Sequence, residues 1–130
     1  MGSAVYTILV VDDEPAIRLL CRVNLELEGY RVHEAGSLDD ARRLLEAEAI
    51  DAVLLDVHVG LEEGYELLRE LAQRDPAVPA ALVTGSADVD TVDSANAAAV
   101  LGKPFTLEQL SETVRLLVSL SRADVDSHIA

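Results

Sequence analysis

Short apolar segments alternate along the chain with longer segments in which apolar residues recur at helical spacing. Five of the short segments have the length of a β-strand and are bounded by residues that favour turns. They are residues 6–11, 31–35, 51–55, 80–83 and 98–101. Strands this apolar are typical of a parallel sheet whose two faces are both covered.

The segments between the strands predict helices. Three signals mark helix ends: Pro15 near the first start, Gly29 after the first end, and Ser37 as the cap of the second. The helices cover residues 15–28, a segment that begins after residue 37, residues 62–73 and residues 107–121. Another helix, around residues 88–97, has only a thin apolar stripe, and we expect it to be mobile.

This alternation of strands and helices indicates the fold class. Parallel strands joined by helices pair through right-handed crossovers, which place helices on both faces of the sheet. We therefore predict a doubly wound α/β fold with a five-stranded parallel sheet. The length of 130 residues suits one domain. We expect that domain over residues 1–121 and a frayed tail over residues 122–130, where the sequence is polar and weakly patterned.

The charge of the chain is strongly negative. It has 24 Asp and Glu against 10 Lys and Arg, a formal net charge of -14. Such a chain repels polyanions, so we expect no direct binding to nucleic acid or to a membrane surface. Apolar segments are too short to span a bilayer, and the first residues do not resemble a secretory signal, which favours a cytoplasmic protein. The single cysteine, Cys21, excludes a disulfide framework.

Polar and charged residues stand at the carboxyl ends of four predicted strands. Asp12 and Asp13 follow the first strand, and Asp56 follows the third. Thr84 follows the fourth strand and Lys103 the fifth. Ligand sites of open parallel sheets lie beyond these strand ends. We expect three carboxylates, a hydroxyl and an ammonium group to meet there.

The carboxylates of this group need a proton or a cation, because two of them about 4 Å apart repel by about 4 kcal/mol at an effective dielectric constant near 20. A cation is the simpler answer. Oxygen ligands without Cys or paired His suit Mg²⁺, which takes carboxylates, phosphate oxygens and waters. The Lys103 ammonium and the Thr84 hydroxyl suit a transferred phosphoryl group. Asp56 is the candidate nucleophile, because Asp12 and Asp13 form an adjacent metal-binding pair.

Four fragments of the sequence resemble the receiver domain of two-component response regulators. They are LVVDDEP, LLDVHVGLEEG, VTGS and LGKPF, in this order and spacing. The resemblance covers nearly the whole chain and implies the flavodoxin-like strand order 2-1-3-4-5. It also implies that Asp56 accepts a phosphoryl group from a histidine kinase or phosphotransfer protein, which switches the binding of a downstream protein.

The resemblance also assigns roles to the individual site residues. Asp13 would bind Mg²⁺ directly and Asp12 largely through water. Asp56 and the backbone carbonyl of His58 would complete the metal site. Thr84 and Lys103 would hold the phosphoryl oxygens. Such a domain is not an enzyme, apart from its own phosphorylation and dephosphorylation.

Three positions depart from the pattern of the family. Gly60 stands where the family usually has Pro, which should loosen the loop after Asp56. Gly85 leaves the phosphate open on the side of Thr84. Val100 stands where most members carry Tyr or Phe, so we do not expect the usual aromatic switch.

Two other functions are compatible with parts of the sequence. The chain could be a receiver-like docking module that is never phosphorylated. It could also be a Mg²⁺-dependent phosphohydrolase that forms an aspartyl phosphate. Such an enzyme usually needs a second acid two residues after its nucleophile, and position 58 is His.

Overall fold

The computed structural model describes residues 5–85 and 93–129, and only the backbone of residues 122–129. The strands of this part are β1 (Thr7–Val11), β2 (Arg31–Ala35), β3 (Ala52–Asp56), β4 (His58–Val59), β5 (Glu62–Glu63), β6 (Ala80–Gly85) and β7 (Ala99–Lys103). Its helices are α1 (Pro15–Leu27), α2 (Leu38–Ala47), α3 (Tyr65–Gln73) and α4 (Leu107–Ile129). Within the described residues, no helix combines the length and the hydrophobicity of a membrane span.

The main sheet has five parallel strands in the order β2-β1-β3-β6-β7. This is the predicted order 2-1-3-4-5, because β4 and β5 form a separate antiparallel pair. The parallel register places the carboxyl ends of neighbouring strands at one edge of the sheet. Asp56, for example, pairs with Val83, and Thr84 pairs with Gly102.

Two apolar cores, one on each face of the sheet, hold the helices in place. Side chains alternate between the two faces of each strand, so consecutive apolar residues feed both cores. In β1, Leu9 packs with residues of α2 and α3, whereas Ile8 and Val10 pack with residues of α1 and α4. This arrangement confirms the doubly wound fold and explains why the strands are apolar throughout.

The ends of the first two helices follow the signals in the sequence. Pro15 is the first residue of α1, and Gly29 just beyond it has φ 97°, a conformation that glycine adopts without a steric penalty. The Ser37 hydroxyl oxygen accepts the backbone N–H of Asp40 at 3.1 Å and caps α2.

Three of the predicted helices differ clearly from the structure. The third helix begins at Tyr65 rather than at residue 62, because residues 62–63 pair with residues 58–59 as the β4–β5 hairpin. In the helix predicted around residues 88–97, the described part, residues 93–97, is irregular with a turn, and residues 86–92 lie outside the description. Helix α4 continues past Ser121 to Ile129, since no Gly or Pro interrupts that segment. The division into a domain and a tail remains a prediction.

Candidate functional site

The carboxyl edge of the main sheet brings together the predicted strand-end residues. Lys103, the last residue of β7, is central to this cluster. Its Nζ atom lies 2.9 Å from Asp12 Oδ2 and 2.9 Å from Asp56 Oδ2. One ammonium group therefore bridges two carboxylates that come from different strands.

Asp12 is fixed at every polar atom. It is only 2% exposed. Its backbone N–H donates to Ala35 O at 3.0 Å, and its Oδ1 atom accepts the N–H of Glu14 at 2.9 Å. Its Oδ2 atom accepts Lys103. Its backbone carbonyl oxygen accepts the Arg18 guanidinium at 2.6 Å.

Asp56 is also buried, with 7% exposure, and its two oxygens have different partners. Oδ1 accepts the backbone N–H of His58 at 3.0 Å, and Oδ2 accepts Lys103. Burial raises the pKa of Asp56 above its ordinary value, although the hydrogen bonds from Lys103 and His58 oppose this effect. Burial lowers the pKa of Lys103, but its bonds to Asp12 and Asp56 outweigh burial and raise it.

The raised pKa of Asp56 predicts how replacing this residue affects stability. A group with a raised pKa contributes to the free energy of unfolding in full below its ordinary pKa, here 3.8. This contribution is lost as the pH rises through the pKa of the folded state. In a buffer with EDTA at pH 7, the free energy of unfolding of Asp56→Asn should therefore be higher than that of the wild type. The difference should shrink as the pH falls to about 4. Urea unfolding at several pH values measures it, and a difference independent of pH would contradict the prediction.

Asp13 completes the acidic cluster from the exposed side. Carboxylate oxygens of Asp12, Asp13 and Asp56 all lie within 4.8 Å of one another, so these residues could hold a metal ion. Asp13 Oδ2 also accepts the N–H of Gly60 at 3.1 Å. A proline at position 60 would have no N–H to donate. The unusual glycine therefore links the β4–β5 hairpin to the acidic pair.

Thr84 lies at the end of β6, next to the cluster, and is 1% exposed. Its Oγ1 atom has no hydrogen-bond partner among the described residues. A buried hydroxyl without a partner is uncommon, because losing its hydrogen bonds with water costs free energy. Such a group is suited to bind a phosphoryl oxygen that arrives at the site.

Removal of the Thr84 hydroxyl is expected to stabilise the protein. Thr84→Val replaces it with a methyl group of similar size, so the protein should gain about 1 kcal/mol in unfolding free energy. Thr106→Val is the control, since the Thr106 hydroxyl accepts the N–H of Gln109 at 3.0 Å and its loss should destabilise the protein. Urea unfolding measures both variants. A Thr84→Val variant less stable than the wild type would show that the hydroxyl has a partner.

Two residues near the site were not singled out by the sequence analysis for their roles there. Arg18 binds the backbone of Asp12, and its only signal in the sequence is its place in the second turn of α1. Gly64 lies against the backbone of Asp56: a Cβ atom on it would be 2.6 Å from Asp56 O.

The strand order and the edge cluster define an α/β domain of the flavodoxin-like class. The family described as "Response regulator receiver domain" matches residues 8–115. The chain therefore belongs to the receiver-domain family of two-component signalling proteins. Members of this family are generally not enzymes.

Named relatives support the same assignment. The C4-dicarboxylate transport transcriptional regulatory protein DctD of Pseudomonas aeruginosa is 36% identical over 121 residues, which cover 88% of this chain and 26% of that protein. Sensor kinase CckA of Brucella abortus is 38% identical over 88% of this chain and 12% of its own length. The chain thus spans about a quarter or less of these two relatives.

A solved structure of similar size shows the same fold. The CheY-like response regulator receiver domain protein from Methanospirillum hungatei JF-1 superimposes with a TM-score of 0.83 and 30% identity. The match covers 93% of this chain and 99% of that one. The observed strand order agrees with this likeness.

Proposed function

We propose that this chain is a phospho-acceptor receiver that takes a phosphoryl group onto Asp56 in a Mg²⁺-dependent reaction. The donor is a histidine kinase or a phosphotransfer protein, and phosphorylation switches the binding of a downstream protein. One observation carries the proposal: Lys103 bridges Asp12 and Asp56, while Asp13 faces the same cluster from the exposed side.

The charge balance of the cluster supports a Mg²⁺ site. Three carboxylates and one ammonium group leave two negative charges, and a divalent cation would neutralise them. The ligands on offer are oxygen atoms, which Mg²⁺ prefers. Asp12, Asp13, Asp56 and the backbone carbonyl of His58 are the proposed ligands. When bound, the ion supplies positive charge that screens the phosphoryl oxygens from the carboxylates.

The residues of the chain have distinct proposed parts in phosphoryl transfer. A carboxylate oxygen of Asp56 attacks phosphorus, the new P–O bond forms, and the bond from phosphorus to the donor nitrogen breaks. Lys103 is close enough to Asp56 to bind a phosphoryl oxygen in place of Asp56 Oδ2. The buried Thr84 hydroxyl, which has no hydrogen-bond partner among the described residues, gains one in the phosphoryl group.

The proposed partners follow from the charge and from the relatives. A net charge of -14 disfavours direct contact with nucleic acid or an anionic membrane surface. A sensor kinase among the relatives contains a similar segment, which supports a histidine kinase as the source of the phosphoryl group. We also propose a cytoplasmic location, because a histidine kinase takes its phosphoryl group from ATP, which is available in the cytoplasm.

Labelling with acetyl phosphate tests the proposal. The protein is incubated with this donor in MgCl₂ or in EDTA, and intact mass spectrometry measures the phosphorylated fraction. We expect phosphorylation in MgCl₂ and almost none in EDTA. Failure to label in MgCl₂ would contradict the proposal and favour a docking module that is not phosphorylated.

A further inference from the structure

A guanidinium group lies directly behind the acidic pair of the site. Arg18, in the second turn of α1, is only 19% exposed at its side chain. Its Nη1 atom donates to Asp12 O at 2.6 Å, and its Nε atom donates to Glu34 Oε1 at 3.2 Å. The side chain therefore ties the backbone after β1 to a carboxylate on β2.

The surroundings of Arg18 hold it in this position. Glu34 is itself held by Arg22, whose Nη1 atom lies 2.7 Å from Glu34 Oε2. Gly36, just after β2, leaves room for the guanidinium: a Cβ atom there would lie 3.0 Å from Arg18 Nη1. The Arg18 guanidinium is planar, is bonded to two separate acceptors and packs closely against the backbone at Gly36, so it has little freedom to move.

The bond to Asp12 O fixes a peptide group that both acidic residues share. The carbonyl of Asp12 belongs to the peptide bond that joins it to Asp13, and this peptide is planar. Asp12 is anchored on the other side by its N–H bond to Ala35 O. Holding the carbonyl therefore fixes the plane of this peptide and the position of the Asp13 Cα atom, from which the Asp13 side chain leaves the backbone.

We infer that Arg18 is a positioning residue for the Mg²⁺ site: it orients the Asp12–Asp13 peptide so that both carboxylates face the ion. This inference rests on the proposed function, because it concerns the same metal site. Arg18 reaches the site through its hydrogen bond to the backbone carbonyl of Asp12. Its effect is transmitted through the backbone of Asp12.

Charge and geometry predict opposite effects of removing Arg18, so the sign of the change is decisive. A cation near the site repels Mg²⁺, so loss of the charge alone would tighten metal binding. Loss of the peptide's anchor would weaken binding, as removal of groups that orient metal ligands typically does, by about tenfold or more.

The experiment titrates the full chain with MgCl₂ in an isothermal calorimeter and compares folded variants, checked by circular dichroism. We expect Arg18→Met to weaken Mg²⁺ affinity by about tenfold. Arg18→Lys keeps the charge, but the lysine cannot reach Asp12 O and Glu34 together. Its Mg²⁺ affinity should therefore lie between those of Arg18→Met and the wild type. Arg42→Met is the matched control, because Arg42 donates to Glu70 at 3.1 and 2.8 Å away from the cluster. It should bind Mg²⁺ like the wild type.

The outcomes separate this inference from the proposed function. If the wild type binds no Mg²⁺, both are overturned. If the wild type binds and Arg18→Met binds equally well or more tightly, the inference alone is overturned. Should Arg18→Met fail to fold, Arg18→Lys decides: weaker binding supports the inference, and wild-type affinity overturns it.

Discussion

We expect the Asp56→Asn variant to take up no phosphoryl group from acetyl phosphate in MgCl₂, where the wild type is labelled. An amide has no anionic oxygen with which to attack phosphorus. Asn is nearly the same size as Asp, and its oxygen can still accept a hydrogen bond, so the fold should persist. Intact mass spectrometry of both proteins, incubated side by side, measures the effect.

A second aspartate beside the same strand provides the control. Asp51 precedes β3 at the end opposite Asp56, and its Oδ2 atom accepts the N–H of Thr7 at 2.8 Å. Asp51→Asn keeps an acceptor there and should be labelled like the wild type. If Asp56→Asn were labelled as strongly as the wild type, another residue would have to be the phospho-acceptor. Fragment mass spectra would then identify that residue.

The strands and the site cluster could be predicted because both depend on local patterns. Apolar residues occupy every position of β1, and the polar residues begin where it ends. Once parallel pairing is inferred, the ends of neighbouring strands must meet. The observed strands are longer than predicted at β6 and β7, which end at Gly85 and Lys103. Their last residues pair through backbone bonds, which apolarity does not reveal.

Other features depend on contacts between distant residues and left little trace in the sequence. Glu62 and Glu63 have the acidic character of a first helical turn, yet they pair with His58 and Val59 across Gly60. The bond from Arg18 to Asp12 depends on how α1 packs, and an arginine in an amphipathic helix is most often merely solvated. That the Thr84 hydroxyl has no hydrogen-bond partner within the described part of the chain is likewise visible only once its neighbours are in place.

Replacing Gly64 by Ala should destabilise the protein by about 3 kcal/mol, which is at the upper end of the usual cost of overpacking. A Cβ atom at this position would lie 2.6 Å from Asp56 O and 3.1 Å from Leu55 Cγ. The Asp56 carbonyl belongs to the central strand β3, so it cannot move aside as the end of a flexible side chain could. The backbone itself is not the obstacle, since Gly64 has φ -74°, which alanine adopts readily. Urea unfolding measures the loss.

Gly29 offers the opposite case and serves as the control. Its φ is 97°, which disfavours alanine, but a Cβ atom there would meet nothing within 4 Å. Gly29→Ala should therefore cost only the backbone strain, about 1 kcal/mol. Gly64→Ala should also slow labelling by acetyl phosphate, because a clash with Asp56 O displaces the proposed phospho-acceptor. Gly29→Ala should be labelled like the wild type. If Gly64→Ala proves no less stable than Gly29→Ala, helix α3 can shift away from β3, and the close approach does not fix Asp56.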